Sequence, residues 1–203
     1  FNNAGTADVE TGVLKLMRGG SHTGAFTVAS GAELEFDGVH TFDDDATITG
    51  GGSVVFGGSS SVNAAYGITG LTTFTDGSTT FNTPFDAAPG ADFAGGTAYF
   101  NDVVIGLPAD LVTGSRLHFN SNAQMFDTIV ASEGVGGSAD ITVNGLYTWT
   151  GGTMMGPGTT YANGGMLISG PDQKYIHDRT LELSGTTTWT GGRIVVRDGS
   201  VIN

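Results

Sequence analysis

Short runs of alternating apolar and polar residues dominate the chain and are separated by glycine. Three of them follow one another in the first third of the sequence: Val13–Leu16, Glu33–Phe36 and Ser53–Phe56. Period-two alternation is typical of β-strands with one buried face. No window has apolar residues at i, i+3, i+4 and i+7, and helix start signals are missing. The pattern predicts an all-β protein, with strands that include 25–29, 32–36, 46–49, 71–75, 78–81, 140–143, 146–150 and 180–183.

These runs recur with a period of about twenty residues. Glycines in equivalent positions are residues 12, 31, 50 and 70, and Ile48-Thr49-Gly50 returns as Ile68-Thr69-Gly70. Later, the five residues 148–152 (TWTGG) return forty positions on as 188–192. A fixed period of this length indicates a repeat architecture, in which each unit buries its apolar face only against its neighbours.

Three all-β architectures are candidates to explain the twenty-residue period. A sandwich or a barrel has turns every 8 to 12 residues but no twenty-residue repeat. A propeller needs blades of about 40 residues, which fits the 148–188 interval, but the glycines divide that interval into halves. A parallel β-helix has coils of about this length, paired strand on strand about 4.8 Å apart. We therefore expect a right-handed parallel β-helix (a β-solenoid) over residues 1–203, forming an elongated rod.

The strand pleat predicts which side chains fill this stack. In 148–150, alternation places the two threonines on one face and the Trp149 indole on the other, and the same holds for Trp189 in 188–190. We expect both indoles to be buried.

Composition limits the classes of partner. The chain has 203 residues, 35 of them glycine, and no cysteine, so neither a disulfide nor a cysteine metal site can form. The chain has seven Lys and Arg residues and 20 Asp and Glu residues, which gives a net charge of −13. Such a surface repels phosphate backbones and anionic lipid, so no nucleic-acid partner and no membrane insertion are expected. No apolar run is long enough to span a bilayer.

One stretch interrupts the repeat. Residues 83–93 carry two prolines and no alternation, and proline cannot donate to an interior ladder. We expect a loop excursion at 83–102, and functional residues often lie on such loops. Asp86, Asp92 and Phe93 are its candidate binding residues. The alternative function is therefore a module that binds or cleaves carbohydrate through this loop.

Asp43, Asp44 and Asp45 are the candidate metal ligands. Three adjacent carboxylates suit calcium, which takes several oxygen ligands. In an extended strand successive side chains point to opposite faces, so at most two could share one ion. A solvated turn is the competing interpretation. No other cofactor is expected.

His177-Asp178-Arg179 is the densest titratable cluster, and we interpret it as a salt bridge in a surface turn. Polysaccharide-cleaving sites need paired carboxylates, or carboxylates with basic residues, on one face. Basic residues are scarce here, so no catalytic residue is assigned and an enzyme is not expected.

Residues 148–160, together with Leu167-Ile168-Ser169-Gly170 and Arg179-Thr180-Leu181, carry a family resemblance. They resemble the strand repeats of very large bacterial surface and secreted proteins, similar to filamentous haemagglutinins and autotransporter passengers. The resemblance covers most of the chain, except 83–102, and its motifs bring no catalytic residues. It implies export, a cell-surface or extracellular location, and a role in adhesion, spacing or assembly.

The first and last residues resemble halves of one repeat, so we expect a segment of a longer array. The expected function is a structural stalk or adhesin-like module that also assembles into filaments. Its expected partners are adjoining repeats of the parent protein, neighbouring copies and surface glycans.

Overall fold

The computed structural model describes all residues, 1–203, as an all-β protein with 31 short strands and no helix. Every pair of neighbouring strands is parallel, as in Val13–Leu16 against Glu33–Phe36, whose Cα partners are 20 positions apart. The sheets stack as a β-solenoid of about ten turns with a spacing of about 19 residues. The predicted parallel β-helix is confirmed.

The chain divides into two compact units, which we call unit 1 (Phe1–Leu107) and unit 2 (Pro108–Asn203). Unit 1 contains sixteen strands, β1–β16, three to a turn. In chain order they are β1 (Thr6–Val9), β2 (Val13–Leu16), β3 (Gly20–His22), β4 (Ala25–Val28), β5 (Glu33–Phe36), β6 (Val39–Phe42), β7 (Thr47–Gly50), β8 (Ser53–Phe56), β9 (Ser59–Val62), β10 (Ala65–Ile68), β11 (Thr72–Phe74), β12 (Ser78–Phe81), β13 (Phe85–Asp86), β14 (Ala91–Phe93), β15 (Thr97–Phe100) and β16 (Val104–Ile105).

Unit 1 has three sides, because strands three positions apart in the chain order lie on the same side. The first side is β1-β4-β7-β10 with the pair β13-β16, the second is β2-β5-β8-β11-β14, and the third is β3-β6-β9-β12-β15. Each turn of the chain therefore visits all three sides before it returns to the first.

Unit 2 repeats this plan with fifteen strands. They are β17 (Asp110–Thr113), β18 (Arg116–Phe119), β19 (Gln124–Phe126), β20 (Thr128–Ala131), β21 (Val135–Gly136), β22 (Ile141–Val143), β23 (Tyr147–Trp149), β24 (Gly152–Met155), β25 (Thr159–Ala162), β26 (Met166–Ile168), β27 (Lys174–His177), β28 (Thr180–Leu183), β29 (Thr187–Trp189), β30 (Ile194–Arg197) and β31 (Val201–Ile202). Its first side is β17-β20-β23-β26-β29 and its third is β19-β22-β25-β28-β31. The second side holds the pair β18-β21 and the sheet β24-β27-β30.

Strand positions follow the alternation in the sequence. All eight predicted strands named above are present, and each end lies within one residue of its expected place. In β5 the residues Leu34 and Phe36 are fully buried while the intervening side chains are not. Local alternation is sufficient to predict the strand positions, because each strand buries only one of its two faces.

Aromatic rings fill the interior of unit 1. Successive strands of the second side place Leu16, Phe36, Phe56, Phe74 and Phe93 in one column. Neighbouring phenylalanine centroids in that column are 5.7, 5.7 and 5.2 Å apart, with nearly parallel rings. Such stacking adds about 0.5–1.5 kcal/mol for each pair beyond the burial of area.

The two tryptophans of unit 2 differ in burial, although they occupy one column. Trp149 is fully buried, as predicted. Its Cα partner in the next turn is Ile168, whose own partner one turn further on is Trp189. The expectation that Trp189 is buried is wrong, because 58% of it is exposed. Trp189 lies in the last turn, where no further turn covers the inward-facing side chains.

Glycine at the corners permits both close contact and unusual backbone angles. Gly50 has φ +130°, and a Cβ built there would clash with the Val28 carbonyl oxygen. An L-residue is strained in that conformation, so glycine is a steric requirement at position 50, although its Cα partners in the neighbouring turns are Val28 and Ile68.

The expected loop excursion at 83–102 is absent. Its residues form β13, β14 and β15 and pair in register with neighbouring turns. Pro84 and Pro89 lie at corners rather than inside strands, where no ladder bond needs an N–H. The segment is a turn of the solenoid, although on the first side β13 pairs only with β16 and not with β10.

Candidate functional site

The binding residues predicted at 83–102 do not share one surface. Phe93 is buried against Phe74, with ring centroids 5.2 Å apart, so its assignment as a binding residue is wrong. Asp86 and Asp92 are exposed on different sides of unit 1. The Asp86 carboxylate accepts a bond of 2.9 Å from the Ala88 amide, which closes its own turn.

Asp43, Asp44 and Asp45 lie at the corner between β6 and β7, and all three are exposed. With Asn63 they line an open depression of about 340 Å³. No group of three or more His, Cys, Asp or Glu side chains is arranged to hold a metal ion. The calcium site remains a prediction from the sequence.

The cluster His177-Asp178-Arg179 is split by the fold. His177 Nε2 lies 2.8 Å from Asp198 Oδ2, so its polar partner belongs to the next turn. Arg179 is buried rather than part of a surface salt bridge, and that interpretation is wrong for it. Asp178, between them, is exposed with a left-handed φ of 54°.

The Arg179 guanidinium holds the corner of unit 2 together. It donates to Thr160 Oγ1 at 2.7 Å and to carbonyl oxygens of three residues at 2.7–3.2 Å: Gly137, Ala139 and Thr159. No carboxylate touches it, and burial lowers its pKa to about 10. It remains a cation at neutral pH, stabilised by backbone dipoles of the two preceding turns.

A hydrogen-bonded pair of buried histidines lies inside unit 1. The Asn3 amide donates to His22 Nδ1 at 3.2 Å, so the proton of His22 is on Nε2, which lies 3.0 Å from His40 Nδ1. His40 Nε2 faces the carbonyl oxygens of Asp37 and Leu16 at 2.8 and 3.1 Å, and it must donate to them. Both rings are therefore neutral.

Unit 2 carries one groove that combines cations with an aromatic ring. It lies on the outer face of β24-β27-β30. There Thr153 is the Cα partner of Tyr175, and His177 is the Cα partner of both Met155 and Arg197. The groove measures about 340 Å³, and its lining is completed by Arg116 and Asp198. Neither the alternation pattern nor the spacing of charges predicts it, because its residues come from four different turns.

The two arginines of this groove are held differently. The Arg197 guanidinium carbon lies 5.2 Å from the centre of the Tyr175 ring, a cation–π contact. Arg116 makes one long ion pair, 3.4 Å from Nη2 to Glu133 Oε2, while its buried Nε has no hydrogen-bond partner. Arg197 makes no ion pair, so its guanidinium N–H donors are available at the groove, whereas the unpaired Nε of Arg116 is buried.

The fold and its spacing define the chain as a β-solenoid repeat protein. No protein-family model matches the chain, and no curated protein or solved structure matches it either. The structure contains no helix with the length and apolar character needed to cross a membrane.

Proposed function

We propose that the chain is a structural module, a β-solenoid scaffold in a bacterial cell-surface or extracellular protein. The observation that carries this proposal is the parallel, in-register stacking of about ten turns. The last turn of unit 2 shows which side chains such stacking covers. Trp189, Val196 and Ile202 are inward-facing in the last turn and are 58%, 46% and 40% exposed. Their partners one turn earlier, Ile168, Ile176 and Leu181, are 4% exposed or less.

An apolar end face of this kind matches the surface that every interior turn buries. The backbone N–H and C=O groups on the outer edge of its strands are also unpaired, which favours the addition of another strand in register. We propose that another solenoid turn covers it, supplied by adjoining repeats of the parent protein or by a neighbouring copy. Repeated addition of this kind gives a stalk, or a filament when the turns belong to separate molecules.

The net charge of −13 argues against nucleic acid and anionic lipid as partners. The exported location is proposed from the strand-repeat resemblance. Carbohydrate binding or cleavage through residues 83–102 is not proposed, because this segment lies within the ladder and Phe93 is buried.

Sedimentation velocity over a range of concentrations tests the end face. The unmodified chain is expected to associate as its concentration rises, and Trp189→Asp is expected to remain monomeric. Val112→Asp is the matched control, because Val112 is 70% exposed on the side of unit 2 and has no role in stacking. Monomers at every concentration, or equal loss of association in both variants, would contradict the proposal.

A further inference from the structure

The groove on the second side of unit 2 faces away from the stacked core. It contains Arg116, Tyr175 and Arg197, and stacking of further turns would not cover the outer face on which it lies. We propose that this groove binds a uronate unit, the carboxylate-bearing sugar ring of an acidic polysaccharide.

The first step of the argument concerns the scarcity of free cations. The chain has seven Lys and Arg residues, and three of them are engaged in structural contacts. Lys15 pairs with Glu35 and Asp37 at 2.6 and 2.7 Å, Arg179 is bonded inside unit 2, and the Lys174 ammonium donates to the Asp172 carbonyl oxygen at 3.0 Å. Of the remaining four cations, Arg116 and Arg197 line this single groove, and Arg116 also pairs with Glu133 at 3.4 Å.

The second step concerns the charge that the groove can accept. Asp198 Oδ2 lies 2.8 Å from His177 Nε2, and Glu133 pairs with Arg116 at 3.4 Å. Arg197 makes no ion pair with a carboxylate of the chain, so its guanidinium group is free to pair with a carboxylate of a ligand. A cation–π contact uses no N–H group of the guanidinium in an ion pair, and the fork of these groups matches both oxygens of a carboxylate.

The third step distinguishes a sugar from a peptide. The backbone groups of β27 are already paired with β24 and β30, so a peptide that lies in the groove cannot pair with the backbone beneath it. Recognition must therefore use side chains. Tyr175 and Met155 offer apolar surface to the C–H face of a sugar ring, and Thr153 adds a hydroxyl.

The size of the groove sets the length of the ligand. A volume of about 340 Å³ lies at the lower end of the range of small-molecule sites, about 300–1,000 Å³. The groove therefore suits a short part of a saccharide, with the rest of the polymer outside it.

Protein-observed NMR titration with D-glucuronate tests the proposal, and D-glucose is the matched neutral probe. Glucuronate is expected to shift the amide resonances of β24, β27 and β30 saturably, with at least tenfold tighter binding than glucose or acetate. Arg197→Gln is expected to weaken glucuronate binding at least tenfold. Arg193→Gln, which removes another exposed arginine that does not line the groove, should change it less than twofold.

Several outcomes would overturn the proposal. These are the absence of a saturable shift with glucuronate, equal affinity for glucose, or equal affinity for acetate. Equal weakening by Arg193→Gln would indicate charge attraction without a site. Tighter binding of an aspartate-rich tetrapeptide would assign the groove to peptides instead. Thermal unfolding of Arg197→Gln confirms that the variant is folded.

Discussion

Acidification is expected to destabilise unit 1 through the buried pair His22 and His40. His22 accepts a bond from the Asn3 amide and donates to His40, so neither ring nitrogen has a place for a second proton. Burial lowers the pKa of His22 to about 4, with smaller contributions from His40 and from the α-ammonium group of Phe1. Protonation therefore requires the hydrogen-bonded chain to break.

The size of the effect follows from the difference in pKa between the folded and unfolded states. The folded pKa of about 4 lies below the ordinary value of 6.5, so the unfolded chain takes up the proton first. The stability from neutral His22 is complete above about pH 6.5 and is lost as the pH falls towards 4. The expected loss is about 2 kcal/mol at pH 5 and about 3 kcal/mol at pH 4.

Urea denaturation from pH 8 to pH 4, followed by circular dichroism, measures this loss. His22→Gln is the control, because glutamine can accept and donate in the same positions but does not titrate. The difference in unfolding free energy between the two proteins should change by about 2 kcal/mol between pH 8 and pH 5. The reasoning is refuted if this difference is independent of pH.

Three substitutions test other parts of the packing. Arg179→Lys should destabilise the protein by about 3 kcal/mol or more, because carbonyl oxygens at the corner lose charged donors, whereas exposed Arg193→Lys should cost less than about 0.5 kcal/mol in the same thermal unfolding assay. Gly50→Ala should cost at least about 2 kcal/mol in urea unfolding through strain and collision with the backbone, whereas Gly67→Ala has room for its methyl group and should not. Phe74→Ala should cost about 3–5 kcal/mol in urea unfolding, and a cost below 1 kcal/mol would contradict a tightly packed column.

The sequence was sufficient to predict the class of fold, because alternation and period are local properties. Glu33–Phe36 and its counterparts one turn away each bury one face, so the strands and their stacking could be inferred together. The same reasoning fails at 83–102, where two prolines predict a loop. A proline at a corner removes no N–H from a strand, and the sequence alone does not mark where the corners lie.

The candidate sites were much less predictable. Burial of Arg179 depends on carbonyl groups about 20 and 40 positions earlier, and no local pattern connects them. The groove at Tyr175 likewise combines side chains from four turns. Exposure of Trp189 depends on its place in the last turn, although its local sequence is the same as that of Trp149.

Parallel stacking of consecutive turns in register is tested most directly by engineered cysteines. Ser61 and Thr80 are partners in neighbouring strands, so their Cα atoms should be about 4.8 Å apart, within the range for a disulfide. Thr41 lies one further strand away from Thr80, at about 10 Å, beyond the roughly 7 Å limit for a disulfide. The natural chain has no cysteine, so only the introduced thiols react.

Oxidation of Ser61→Cys/Thr80→Cys should give an intramolecular disulfide without lowering the thermal unfolding midpoint, while Thr41→Cys/Thr80→Cys should remain reduced. Failure of the first pair to close, or equally rapid closure of the second, would contradict the stacked-turn architecture.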